Sequence, residues 1–146
     1  MFPELISASI LLALTVVVHA VGLMVLLRWV LRAHSNVGTR FWAMTWLLIR
    51  LAWSLIVIHL VEIAIWALFF WRERCLPDLE SAFYFSGVTY TTVGYGDLVL
   101  PKEWRLMGPV KGLTGILMCG LSTGFFFAVV SRLYAAKKDR SIALTK

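Results

Sequence analysis

Seven consecutive residues, Thr91, Thr92, Val93, Gly94, Tyr95, Gly96 and Asp97, offer the most specific chemistry in this chain. They show no helical period, and two glycines at alternate positions would weaken a strand. Glycine tolerates positive φ, so Gly94 and Gly96 permit a backbone whose successive carbonyls turn to one side. Such a backbone presents a column of oxygen dipoles.

The residues just before the motif are suited to holding it. Pro77 and Asp78 form a helix start, Glu80 puts negative charge in the first turn, and a helix is expected over 78–91. A helix of about 13 residues is too short to cross a bilayer, which takes about 20. It fits a re-entrant element whose C-terminal partial negative charge points at a cation.

The 146 residues are 60% hydrophobic, with a mean hydropathy of +0.83 and a net charge of +6. This is a membrane composition. The basic residues gather at the ends of apolar runs and not on a soluble domain, so topology explains them and nucleic acid is not called for. Three runs emerge. The first, about 5–31, follows Glu4 where a secretory leader would carry basic residues, and reads as a retained transmembrane helix. Arg28, Arg32, His34 and Arg40 surround a turn at Asn36 and Gly38, a basic loop expected on the cytoplasmic side. The second run, 42–71, has tryptophans at both ends, and its Arg50 can snorkel to the interface. The third, 106–134, closes on Arg132, Lys137, Lys138 and Arg140. The expected orientation is N-terminus outside and C-terminus inside.

With its flanks in place, the motif resembles the selectivity filter of the potassium channels, matched from Thr92 through Gly96 without a substitution and followed by Asp97. The resemblance covers 42–134: outer helix 42–71, pore helix 78–91, filter 92–96 and inner helix 106–134. Residues 1–41 are an extra transmembrane helix and loop, and 135–146 a short basic cytoplasmic tail. The resemblance implies an all-α membrane protein that conducts K+ passively, with the carbonyls of Thr92, Val93, Gly94, Tyr95 and Gly96 lining the ion path and the Thr92 hydroxyl at its inner end. One filter per chain implies a homotetramer in the lipid bilayer. No enzyme activity, ATP or organic cofactor is implied; K+ is the permeant ion. A bacterial inner membrane is the expected location. No span repeats arginine at every third position, so a voltage sensor of the usual kind is not expected, and the gating stimulus and any accessory proteins stay open.

The resemblance also assigns support. Thr91, Val88, Tyr84 and Asp97 flank the filter; where some family members carry a pore-helix glutamate this chain has Val88, and Tyr84 matches an aromatic position able to hydrogen-bond Asp97. Gly120 and Gly124 are candidate gating hinges, because inner helices of this family bend at a glycine; close packing is the alternative, as for Gly112 and Gly115.

His19, His59 and Glu62 are ionisable groups deep inside spans, where such groups need partners. His59 and Glu62, three residues apart, share a helix face. At 1.5 Å per residue His19 lies roughly 21 Å below the outer start of its span and His59 roughly 18 Å below the outer end of the next, so the three are expected to meet as a buried clamp. A proton sensor is the sharper alternative. Two histidines and a glutamate are also a zinc-binding set, though no HExxH spacing is present. Cys75 is expected on the outer side, as a free thiol or a cross-link between chains, and Cys119 as a small packing residue.

Three functional alternatives remain open at the level of sequence. They are a weakly selective cation channel on the same scaffold, a non-conducting accessory subunit, and a proton-linked transporter using the histidine cluster, although paired repeats are lacking.

Overall fold

The computed structural model describes residues 2–34 and 41–144, and the turn expected at Asn36 and Gly38 lies outside them. Among the described residues four α-helices make the fold: α1 Phe2–His34, α2 Phe41–Arg72, α3 Leu79–Tyr90 and α4 Met107–Leu144. A 3-10 turn at Lys102–Trp104 precedes α4. Stretches of 28, 31 and 29 residues in α1, α2 and α4 are long and apolar enough to cross a bilayer, which needs about 20. The protein is an all-α membrane protein.

Local chemistry sets the boundaries. The Asp78 side chain accepts the Ser81 N–H at 2.7 Å and the Ser81 hydroxyl at 3.0 Å, capping α3. Those donations hold its carboxyl below the usual carboxylate range. α2 closes in a Schellman-type turn: Arg74 takes φ +53°, Arg74 N–H donates to the Trp71 carbonyl at 3.0 Å, and Cys75 N–H donates to the Phe70 carbonyl at 2.9 Å. This turn folds Cys75 back onto its own chain, where it is buried with Leu76 and Phe70. Of the two expectations for Cys75, the structure has the free thiol, and its burial leaves a cross-link between chains little access. The thiol is pushed up to about 11 by burial and by the charge of Glu73.

α4 also departs from the expected ending at 134. It runs on to Leu144, through Ala135, Ala136 and Lys137, which are strong helix formers uninterrupted by glycine or proline. Arg50 has a partner as well as a route to the interface, since its guanidinium lies 4.9 Å from the centroid of Trp29 on α1.

Packing places α3 in the angle between α2 and α4, while α1 lies against both α2 and α4. One apolar cluster, with Trp66, Phe70, Ala82 and Met107, surrounds the start of α3; Phe70 and Phe85 meet edge to face there at 5.4 Å. A second, with Leu26, Leu51, Val129 and Leu133, fills the other end of the three long helices. Between them lies a buried polar layer that includes Thr15, His19, Glu62, Ser86, Lys111 and Ser122. The Trp66 Nε1–H donates to Thr15 Oγ1 at 3.0 Å, and the Ser86 hydroxyl donates to the Ile63 carbonyl at 2.6 Å. These bonds fix α1 and α3 to α2 at defined register.

Candidate functional site

The motif begins where α3 ends. Thr91 caps the helix, its hydroxyl donating to the Gly87 carbonyl at 2.9 Å. The N–H groups of Val93 and Gly94 then both donate back to the Val88 carbonyl, at 3.0 and 3.3 Å. Val88 thus supports the motif through its backbone. Among the described residues, no carbonyl of Thr92–Gly96 accepts a backbone hydrogen bond. Thr92, Gly94 and Gly96 take φ of +62°, +55° and +78°, while Val93 and Tyr95 between them stay at negative φ. An alternation of hand aligns successive peptide planes, whereas a strand reverses them. The two glycines bear this at little cost; Thr92 does not, and a non-glycine residue held there costs about 1–3 kcal/mol.

Beyond the motif, Tyr84 Oη donates to Asp97 Oδ2 at 2.7 Å. Donation to the carboxylate raises the Tyr84 hydroxyl above the ordinary tyrosine range. A cavity of about 110 Å³ lies behind the motif, lined by Tyr84, Val88, Thr89, Gly94, Gly96 and Asp97 among others. No acidic side chain but Asp97 lines it. Val93 and Tyr95 are 52% and 72% exposed on the single chain.

The inner side of the site is set by α4. A Cβ at Gly115 would stand 2.0 Å from the Tyr90 carbonyl oxygen, so only glycine lets α4 cross the end of α3 here. At Gly120 and Gly124 a Cβ meets nothing within 4 Å, and the helix passes both without interruption. Close packing thus explains Gly115 and does not explain Gly120 or Gly124 within one chain. Cys119, expected as a packing residue, is exposed on the same helix.

His19, His59 and Glu62 come together, and the structure adds partners. The His19 Nδ1 donates to Glu62 Oε1 at 2.8 Å, the Tyr90 hydroxyl donates to Glu62 Oε2, and His59 Nδ1 lies 2.8 Å from Tyr90 Oη and 3.4 Å from Glu62 Oε2. Ser122 Oγ on α4 stands 3.5 Å from His19 Nε2. All four helices therefore meet at one carboxylate, and Tyr90, the last residue of α3, connects it to the motif. The spacing on α1 and α2 exposed three members of this cluster; Tyr90 and Ser122 have ordinary sequence contexts and gave no signal.

Lys111 is a further member that sequence reasoning passed over. It is fully buried, with Nζ 4.8 Å from the Trp66 ring centroid and 5.5 Å from that of Tyr90, and among the described residues the amine has no hydrogen-bond partner. The signal was available, because Lys111 is a charged residue inside the third apolar run, the same criterion that selects Glu62.

A family model described as an ion channel matches residues 56–132, slightly over half of the chain. The chain belongs to this ion channel family. The matched part of the ion channel takes in the second half of α2, all of α3, the motif and α4 as far as Arg132. It includes His59, Glu62, Tyr90 and Lys111, while α1 with His19 lies outside it. Neither the curated proteins nor the solved structures gave a match. The channel is an integral membrane protein and a transport protein by family.

Proposed function

We propose that this ion channel is potassium-selective and conducts K+ passively through a pore made by four copies of the chain. The observation that carries the reading is the alternation of positive φ at Thr92, Gly94 and Gly96 inside the TVGYG stretch. Aligned peptide planes bring the carbonyls of Thr92, Val93, Gly94 and Tyr95 to one side, where they replace the hydration shell of an ion that sheds its water. The N–H groups that would compete for the same space are turned back to the Val88 carbonyl. Adjacent sites fill together, and mutual repulsion moves the ions on.

Four copies follow from one such strand per chain. The exposure of Val93 and Tyr95 on a single chain supports this, since both are covered when further copies close the ring. Arg28, Arg32 and Arg132 at one end of the helices put that end in the cytoplasm, with the motif opening to the outer face. In this arrangement α2 is the outer helix, α3 the pore helix and α4 the inner helix, with Gly120 the first candidate for a bend.

The test is the reversal potential of the purified protein in planar bilayers under opposed K+ and Na+ gradients. Reversal near the K+ equilibrium potential is expected. Reversal near zero would replace the reading with a weakly selective cation channel, and absence of current across voltage, tension and pH would favour an accessory subunit.

A further inference from the structure

We propose that His19, His59 and Glu62, with the Tyr90 hydroxyl holding the Glu62 carboxylate, form a binding site for a divalent metal of the zinc class, one per chain, joining α1 to the pore module. The proposal stands on the cluster geometry and is independent of which ion the pore conducts.

The donor atoms converge. One ligand atom each from His19, His59 and Glu62 lies within 4.8 Å of the others. Zinc bonds to imidazole nitrogen and carboxylate oxygen at about 2.0–2.2 Å, so neighbouring ligand atoms of a tetrahedral site stand about 3.4 Å apart. The separations of 2.8 Å from His19 to Glu62 and 3.4 Å from His59 to Glu62, with all three ligand atoms within 4.8 Å, lie on either side of or at that edge. Small rotations about side-chain bonds turn a hydrogen-bonded cluster into a coordination shell, with no movement of the helices.

The donor set selects the metal. Two imidazoles and a carboxylate suit zinc, copper, iron or nickel, whereas calcium and magnesium take oxygen ligands. His59 and Glu62 stand one helical turn apart, and His19 and Glu62 are 1% and 0% exposed, so the backbone already holds the ligands and keeps bulk water away.

The outer partner is present too. Each imidazole now directs Nδ1 at an oxygen, and coordination through Nδ1 moves the ring proton to Nε2. The His19 Nε2–H then finds Ser122 Oγ on α4, 3.5 Å away, as its acceptor. The metal thereby links α1, α2, α3 and α4.

The full-length protein, purified with chelator and then equilibrated with Zn2+ and dialysed, is assayed for metal content and thermal unfolding, and with Co2+ for visible absorption. The expected result is about one zinc per chain, a raised unfolding temperature, and the intense Co2+ bands of a tetrahedral nitrogen and oxygen site, with no shift from Ca2+. Ser122→Ala, which reaches the metal only through His19, weakens binding about tenfold, whereas its metal-free unfolding temperature falls only by what the loss of one interhelical hydrogen bond costs. His59→Asn, which keeps a hydrogen-bonding side chain, abolishes the Co2+ bands. Zinc content no higher than that of His59→Asn, or an octahedral Co2+ spectrum in the parent protein, would overturn the proposal.

Discussion

Tyr84 and Asp97, thirteen positions apart, are joined by a 2.7 Å hydrogen bond that ties the middle of α3 to the residue just past the filter motif. The Val93 and Gly94 N–H groups tie the start of the motif to the Val88 carbonyl, and this bond holds its far end across the cavity behind it. Tyr84→Phe removes the donor and keeps the ring. The expected outcome is a severalfold shorter conducting lifetime in single-channel records, with the protein still assembled; unchanged open-state kinetics would show that Asp97 is held by other means.

Gly115 and Gly120 lie on the same helix and predict opposite effects. Alanine at Gly115 drives a Cβ into the Tyr90 carbonyl, and overpacking of this kind costs about 1–3 kcal/mol. Gly115→Ala should lower the unfolding temperature and reduce conduction, because the strained carbonyl immediately precedes the motif. Gly120→Ala meets open space and gains roughly 0.5–1 kcal/mol of helix propensity. Raised stability together with a lowered open probability in Gly120→Ala would mark Gly120 as the bend of the inner helix; an unchanged open probability would assign the bend elsewhere.

His19 is the contribution of α1 to the buried carboxylate. His19→Leu leaves Glu62 with the Tyr90 and His59 partners but releases α1. Hydrogen bonds between helices in membranes are worth about 1 kcal/mol, so metal-free His19→Leu protein should unfold a few degrees lower and shed α1 to protease sooner. Equal unfolding temperatures and equal protease resistance would rule out the clamp.

Cys75 and Cys119 should react very differently. With its thiol pushed up to about 11 by burial and by Glu73, Cys75 is thiolate in roughly one molecule in a thousand at pH 8. In a Cys119→Ala protein, maleimide labelling of Cys75 should be slow until the chain is denatured, and no disulfide-linked dimer should form under oxidation. Rapid native labelling would mean that the turn after α2 opens.

Much of this architecture was legible because it depends on local order in the chain. Three apolar runs longer than a bilayer, a capped short helix at Asp78, and glycines at alternate positions of the motif are each a statement about neighbours in sequence. Depth counting along two helices brought His19 level with His59 and Glu62, because helical rise is constant. Where local order ran out, the sequence left the outcome open. Cys75 could be a free thiol or a cross-link between chains, and the left-handed Arg74 turns it into the core as a free thiol. The third run was ended at Tyr134 with its spanning stretch, which lies at Met107–Ala135 in the structure, yet a helix needs only hydrogen bonds and tolerant side chains to continue to Leu144.

The sequence by itself determined the class of molecule and the three apolar spans, since hydropathy and helix-forming tendency act within a few residues of one another. Only the tertiary structure decided that Thr92 joins the glycines at positive φ, that Gly115 and not Gly120 is the point of closest helix crossing, and that Tyr90, Ser122 and Lys111 complete the buried cluster around Glu62. These depend on which faces of separate helices meet. That outcome is set by packing summed over the whole chain, and no single stretch of residues contains it.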